Sequence, residues 1–147
     1  MRKFIGAVAL AALVAGLTAI PASATFDTQF SVIAKQTSTH NVGRNEVRFQ
    51  QKLLDPRNRD DKVGQDWVHC KYKPNIKKLR CRAVAHLNGE IGGFGNIRVS
   101  GDIRPPHGNR RLNVVGGTHD FNGVAGKLLV HSLHQKNTNR LQFVLTR

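Results

Sequence analysis

The chain has 147 residues and a formal net charge of +14, from 23 Lys and Arg against 9 Asp and Glu. This length suits one domain with a moderate hydrophobic core. The cations are spread from Lys35 to Arg147 without a long uninterrupted block, which indicates a folded basic surface that attracts anions and argues against a disordered basic tail. The alternative is a generic soluble surface that happens to be basic.

The start of the chain has the pattern of a secretory signal peptide. Two basic residues precede an apolar run over residues 4–20, and the segment ends in Ala-Ser-Ala. We therefore expect cleavage after residue 24, which removes two cations and lowers the charge from +14 to +12. Residues 25–147 are then one secreted, extracellular domain with no further transmembrane span. An uncleaved anchor is the alternative, because the run is just long enough to span a bilayer.

The rest of the chain alternates apolar and polar residues with period two and has no sustained helical period. Val47, Phe49 and Leu53, for example, alternate with basic and amide side chains, as in half-buried antiparallel strands. Turn residues separate the alternating segments. The pattern predicts eight strands, near residues 26–36, 45–54, 64–73, 77–88, 93–100, 110–116, 123–134 and 139–146. Eight short strands without helices predict an all-β fold, a closed barrel or a sandwich.

The two cysteines, Cys70 and Cys81, flank a segment with turn chemistry at Pro74-Asn75. In an oxidising compartment they most simply form one disulfide. If the strands pair around this turn, Cys70 faces Cys81 and the bridge crosses a hairpin. Two cysteines without a matching pair of histidines are poor evidence for zinc, so we interpret the bridge as structural.

Glycine-rich segments offer little chemistry. In NVVGGTHDFNGVAG, residues 113–126, Gly116 and Gly117 predict a tight corner at the end of a strand. The adjacent His119 and Asp120 point oppositely on an extended chain, and no Gly-x-Ser-x-Gly nucleophile accompanies them. Residues 92–101 lack the Lys-Ser/Thr of a phosphate-binding loop and predict a glycine-kinked strand. The sequence predicts no cofactor and no metal site.

The hairpin that contains Cys70 and Cys81 is the best candidate for a patch that binds anionic polymers such as nucleic acid, wall material or polysaccharide. Both of its strands turn cations to the same outer face, beside an aromatic residue that would stack on a base. Such binding would fall steeply with salt. The alternative is a merely solvated face. The predicted patch consists of Trp67, Lys71, Lys73, Lys78, Arg80 and Arg82.

Four segments resemble one protein family. LNVVGGTHDFNGVAGKL, residues 112–128, is similar to the VVGGTG-x-F/Y-x-x-A-x-G segment of dirigent proteins and the wider allene oxide cyclase-like barrel group, with His119 replacing the third glycine. LLDPRNRDDKVGQDWVHC, residues 53–70, resembles that group's LYD…KKVG-x-D…C segment. LRCRAVAHLNGEI resembles its second-cysteine strand, and FSVIAKQ resembles the opening strand of small secreted bacterial members. The four occur in the family's order.

The resemblance implies an eight-stranded antiparallel barrel whose hydrophobic lumen holds one small apolar or aromatic molecule. It implies an isomerase-like, cyclase-like or stereo-directing activity that steers the cyclisation or coupling of that molecule, and assembly into dimers or trimers. A structural domain without a ligand is the third alternative, after lumen binding and polymer binding. The inward residues expected to bind the ligand are Phe49, Gln51, Leu79 and Phe143.

Two residues are candidates for catalysis. The family commonly places a carboxylate before the LYD piece, but this chain reads FQQKL there. Asp66 shares the inward face with Cys70 and Tyr72, and near a barrel mouth it would have a raised pKa and exchange protons. Tyr72, the only tyrosine, would offer a phenol to the ligand. The alternatives are an aspartate that caps a turn or pairs with a lysine, and a half-buried strand tyrosine.

Overall fold

The computed structural model describes residues 27–104 and 110–147, which form one closed barrel of eight antiparallel strands. Each strand pairs with the next, and the last pairs with the first. The predicted all-β class and eight strands are therefore confirmed, as a barrel rather than a sandwich. The strands are β1 (Thr28–Gly43), β2 (Glu46–Leu54), β3 (Lys62–Lys73), β4 (Lys78–Asn88), β5 (Phe94–Ile103), β6 (Arg110–Gly117), β7 (Ala125–Ser132) and β8 (Thr138–Thr146).

The signal peptide expected over residues 1–24 lies outside the described residues. Within them, no helix has the length and apolar character needed to cross a bilayer.

β1 is longer than the sequence predicts, since it continues past residue 36 to Gly43. Its pairing with β2 shifts register between Gln36 and Ser38, where an extra residue forms a bulge. Beyond the bulge the segment is polar except for the exposed Val42, so the alternation that predicted the strand ends there although the pairing continues.

The β3–β4 hairpin has the predicted register. Cys70 lies opposite Cys81 and the two form a disulfide with a Cα–Cα distance of 4.1 Å, while Lys71 lies opposite Arg80. A short 3-10 turn, Pro74–Ile76, connects the strands. We call the end of the barrel that holds this turn and the β1–β2 turn the disulfide end.

The double variant Cys70→Ala/Cys81→Ala should lose about 2 kcal/mol of unfolding free energy, because a short closed loop gains least from cross-linking. Both cysteines are buried, so the variant also loses packing around the bridge. Urea denaturation of wild type and variant, with and without reductant, measures the loss. An unchanged wild-type midpoint in reductant would show that the disulfide does not stabilise the barrel.

The opposite end of the barrel is plugged by aromatic side chains. Phe121, on a 3-10 turn after β6, is 1% exposed. Its ring centroid lies 6.3 Å from that of Phe30, which stacks on Phe143 at 5.0 Å. Gly117 makes this turn feasible, since a Cβ there would lie 2.5 Å from both the Asn96 carbonyl oxygen and the Phe121 Cβ. The glycine corner therefore folds a plug into this end, which we call the plugged end.

Candidate functional site

An apolar cavity of about 60 Å³ lies inside the barrel towards the disulfide end. We call it the lumen cavity. The disulfide forms part of its wall, and seven of the eight strands, β2 to β8, contribute lining residues. Its lining is Phe49, Val68, Cys70, Cys81, Ala83, Ile103, Arg110, Leu112, Leu128, Val130 and Asn139.

A larger space of about 410 Å³ lies at the disulfide end, which we call the vestibule. Val47, Tyr72 and Leu79 line it, and each is the next inward-facing residue along its strand beyond a residue of the lumen cavity. The Tyr72 amide donates a hydrogen bond to the Asn45 carbonyl oxygen at 2.7 Å, which fixes the β1–β2 turn beside Tyr72. The remaining lining residues are Asn41, Gly43, Arg44, Asn45 and Glu46.

The four residues expected to bind a ligand fall into two groups. Phe49 lines the lumen cavity and Leu79 lines the vestibule, so the structure brings these two to one end of the barrel. Phe143 belongs to the plug, and the buried Gln51 lies opposite Asp66 in the β2–β3 pair. Neither of these two lines the lumen cavity or the vestibule.

Asp66 is the only buried carboxylate among the described residues, at 3% exposed. It lies between Gln51 and Ala85 in the neighbouring strands, and its Oδ1 has no hydrogen-bond partner. Burial removes water from the carboxylate and raises the pKa of Asp66 from 3.8 to about 7. A carboxyl group with this pKa exchanges protons near neutral pH.

Asp66 lies inside the barrel, further from the disulfide end than the residues that line the vestibule. It is the inward-facing residue next to Val68 on the side away from the vestibule. Tyr72 is six residues further along β3, about 20 Å away at 3.3 Å per residue. The two catalytic candidates therefore share a face, as the sequence predicts, but they are too far apart to act on the same atom of a small molecule.

Sequence reasoning missed two polar residues of the lumen cavity, Arg110 and Asn139. Arg110 has the same parity on β6 as the buried Leu112, and Asn139 has the same parity on β8 as the buried Leu141. The alternation alone would have found them. They offer hydrogen-bond donors to a polar group of a bound molecule, and Arg110 adds a positive charge.

The predicted polymer patch lies on the outer face, but an acid neutralises part of it. Arg80 forms two hydrogen bonds with Asp102, at 2.9 and 3.2 Å. This pairing, chiefly through the side-chain hydrogen bond, raises the pKa of Arg80 and lowers that of Asp102. Trp67 remains 42% exposed.

No model of a known protein family matches the chain, and no curated protein sequence matches it. Solved structures do match in fold. A pyocyanin demethylase aligns with a TM-score of 0.65 and 17% identity, over 80% of this chain and 99% of that one.

Two pterocarpan synthase dirigent proteins also align. The first aligns with a TM-score of 0.61 and 12% identity, over 83% of this chain and 89% of the dirigent protein. The second aligns with a TM-score of 0.60 and 14% identity, over 84% of this chain and 94% of the dirigent protein. The chain therefore has the barrel fold of dirigent proteins. The resemblance drawn from the sequence is confirmed at the level of fold.

Proposed function

We propose that this protein binds a small apolar or aromatic molecule at the disulfide end of its barrel. The observation that carries the proposal is the lumen cavity next to the vestibule, at the one end that the Phe121 plug does not fill. Apolar walls with a few placed polar groups are typical of small-molecule sites. Arg110 and Asn139 are such groups in the lumen cavity.

The volumes of the lumen cavity and the vestibule limit where a bound molecule can lie. The lumen cavity, about 60 Å³, is smaller than the roughly 150 Å³ that accepts benzene in an engineered protein cavity. The vestibule, about 410 Å³, falls within the roughly 300–1,000 Å³ of ordinary ligand sites. The bulk of the molecule therefore lies in the vestibule against Tyr72 and Leu79, and one apolar group enters the lumen cavity.

The names of the structural neighbours support a small organic ligand, since one acts on pyocyanin and two are pterocarpan synthases. In this chain, the barrel would hold a reactive molecule in one shape and so steer its cyclisation or coupling. Asp66 is the next inward-facing residue beyond Val68, and we assign it to proton exchange with the end of the molecule nearest Val68. Tyr72 contacts the opposite end. Secretion and assembly into dimers or trimers stay predictions.

Filling the lumen cavity should weaken ligand binding without unfolding the barrel. In Ala83→Leu, the larger side chain occupies the space that the apolar group needs. Binding is measured by the fluorescence enhancement of N-phenyl-1-naphthylamine, an uncharged aromatic probe. The variant should need at least about tenfold more protein for the same enhancement, equivalent to about 1.4 kcal/mol of binding free energy. Overpacking costs about 1–3 kcal/mol of stability, so circular dichroism must show an intact barrel at the assay temperature.

The matched control is Ala125→Leu, which adds the same atoms at an exposed position of β7. Its affinity for the probe should equal that of wild type. Wild-type protein that fails to bind the probe, or equal loss of binding in both variants, would overturn the proposed site.

A further inference from the structure

Trp67 is the centre of a basic cluster on the outer face of β2, β3 and β4. Directly across the strands it faces Gln50 and Val84. Residues two positions from these partners are its diagonal neighbours, about 7–8 Å away on the same face. All four diagonal positions carry basic side chains: Arg48, Lys52, Arg82 and His86. We call Trp67 and these four residues the Trp67 cluster.

Two grooves run past Trp67 on this face. One, of about 180 Å³, includes Lys52 and Lys62 in its lining, and the other, of about 320 Å³, includes Arg48 and His40. Both are lined by Gln50 and Trp67, so the two grooves adjoin at this pair of residues. A flexible chain lying along this face would pass over the ring with cations on both sides.

The charge of the Trp67 cluster is largely uncompensated. Arg48 approaches Glu46 at 3.8 Å, and His69 also contacts Glu46. Lys52 and Arg82 take part in none of the ion pairs found within residues 27–104 and 110–147. The face therefore presents at least two unpaired fixed cations beside an exposed aromatic ring.

We propose that the Trp67 cluster binds single-stranded nucleic acid. An unpaired base stacks on the indole of Trp67, and the flanking phosphates contact Arg48, Lys52 and Arg82. Stacking aromatics among backbone-tracking cations are the two ingredients of such sites. A duplex does not offer a free base face to the indole, and an acidic polysaccharide offers charge without a flat aromatic ring. The cluster shares Trp67 and Arg82 with the predicted patch, but its centre moves from the β3–β4 hairpin towards β2.

The test uses a short oligothymidylate, fluorescein-labelled to measure affinity and unlabelled to quench the tryptophan, because fluorescein would itself quench the indole by energy transfer. Because Trp67 is the only tryptophan, quenching of intrinsic fluorescence reports stacking directly. Trp67→Ala should weaken binding about tenfold, within the range that alanine substitution of a stacking aromatic produces, and Trp67→Phe should retain most of it. The double variant Arg48→Gln/Lys52→Gln should reduce the slope of log affinity against log salt by about 1.4, at about 0.7 per phosphate contact.

The charge-matched control is Arg111→Gln/Lys127→Gln, on exposed positions of β6 and β7, which should leave the salt slope unchanged. Heparin serves as a sulfated polysaccharide without bases. Three results would overturn the proposal: no binding at low salt, unchanged affinity in Trp67→Ala, or heparin binding with the same dependence on Trp67. None of the substituted side chains lines the lumen cavity or the vestibule, so failure of this proposal is distinguishable from failure of the lumen site.

Discussion

Asp66→Asn should make the protein more stable at pH 8 by about 2–4 kcal/mol and should remove much of the pH dependence of its stability between pH 4 and 7. The pKa of Asp66 is raised from 3.8 to about 7 by desolvation, and one pKa unit corresponds to about 1.36 kcal/mol. The full shift is therefore worth about 4 kcal/mol, and the buried amide of Asn gives back part of the gain because it too lacks water.

The direction follows from proton linkage. Below pH 3.8 the carboxyl is protonated in both the folded and the unfolded chain, and Asp66 costs the folded state no ionisation penalty. As the pH rises towards 7, the unfolded chain ionises first, so the folded state loses stability relative to it. Above about pH 7 both states are ionised and the penalty is constant.

Urea denaturation of wild type and Asp66→Asn from pH 3 to pH 9 measures this effect, and taking the difference cancels the other titrating groups. Asp27→Asn, at an exposed position, is the control and should follow the wild-type curve. If Asp66→Asn were less stable than wild type at pH 8, or had the same pH slope, the carboxyl would have a stabilising partner that contradicts its orphaned Oδ1.

Phe143→Ala should destabilise the barrel by about 3–5 kcal/mol, the usual cost of removing a fully buried phenylalanine. The Phe143 side chain is 0% exposed, and its ring stacks on Phe30 in the plug. Since single domains are stable by about 5–15 kcal/mol, this loss is a large share of the total. Thermal and urea unfolding measure it.

Phe94→Ala is the matched control, since Phe94 is 43% exposed on β5 and surface substitutions change stability by about 0.5 kcal/mol. The folded fraction of Phe143→Ala should still bind N-phenyl-1-naphthylamine, because Phe143 does not line the lumen cavity or the vestibule. A stable Phe143→Ala protein that no longer binds the probe would instead make Phe143 a ligand residue.

The strands and their inward faces follow from the sequence because half-buried strands impose period two on side-chain polarity. This pattern places Phe49 and Leu79 inward and Trp67 outward. The turn at Pro74-Asn75 then sets the register that joins Cys70 to Cys81. These features depend on neighbours along one strand or across one hairpin.

The remaining features depend on contacts between distant segments. The bulge between Gln36 and Ser38 breaks the alternation, so the second half of β1 has no pattern to reveal it. The plug requires Phe121 to meet Phe30, which the sequence separates by 91 positions. The position of Asp66 along the barrel axis depends on the stagger of all eight strands. The period-two alternation fixes only which face of the sheet its side chain takes.

Methyl NMR during a titration with N-phenyl-1-naphthylamine tests the lumen site most directly. A ligand site inside the barrel predicts shift changes at Val68, Leu79 and Leu128, which line the lumen cavity or the vestibule. It predicts no change at Leu145 in the buried core or at the exposed Val115. Shift changes confined to Val115 and other outward methyl groups would contradict a ligand site inside the barrel.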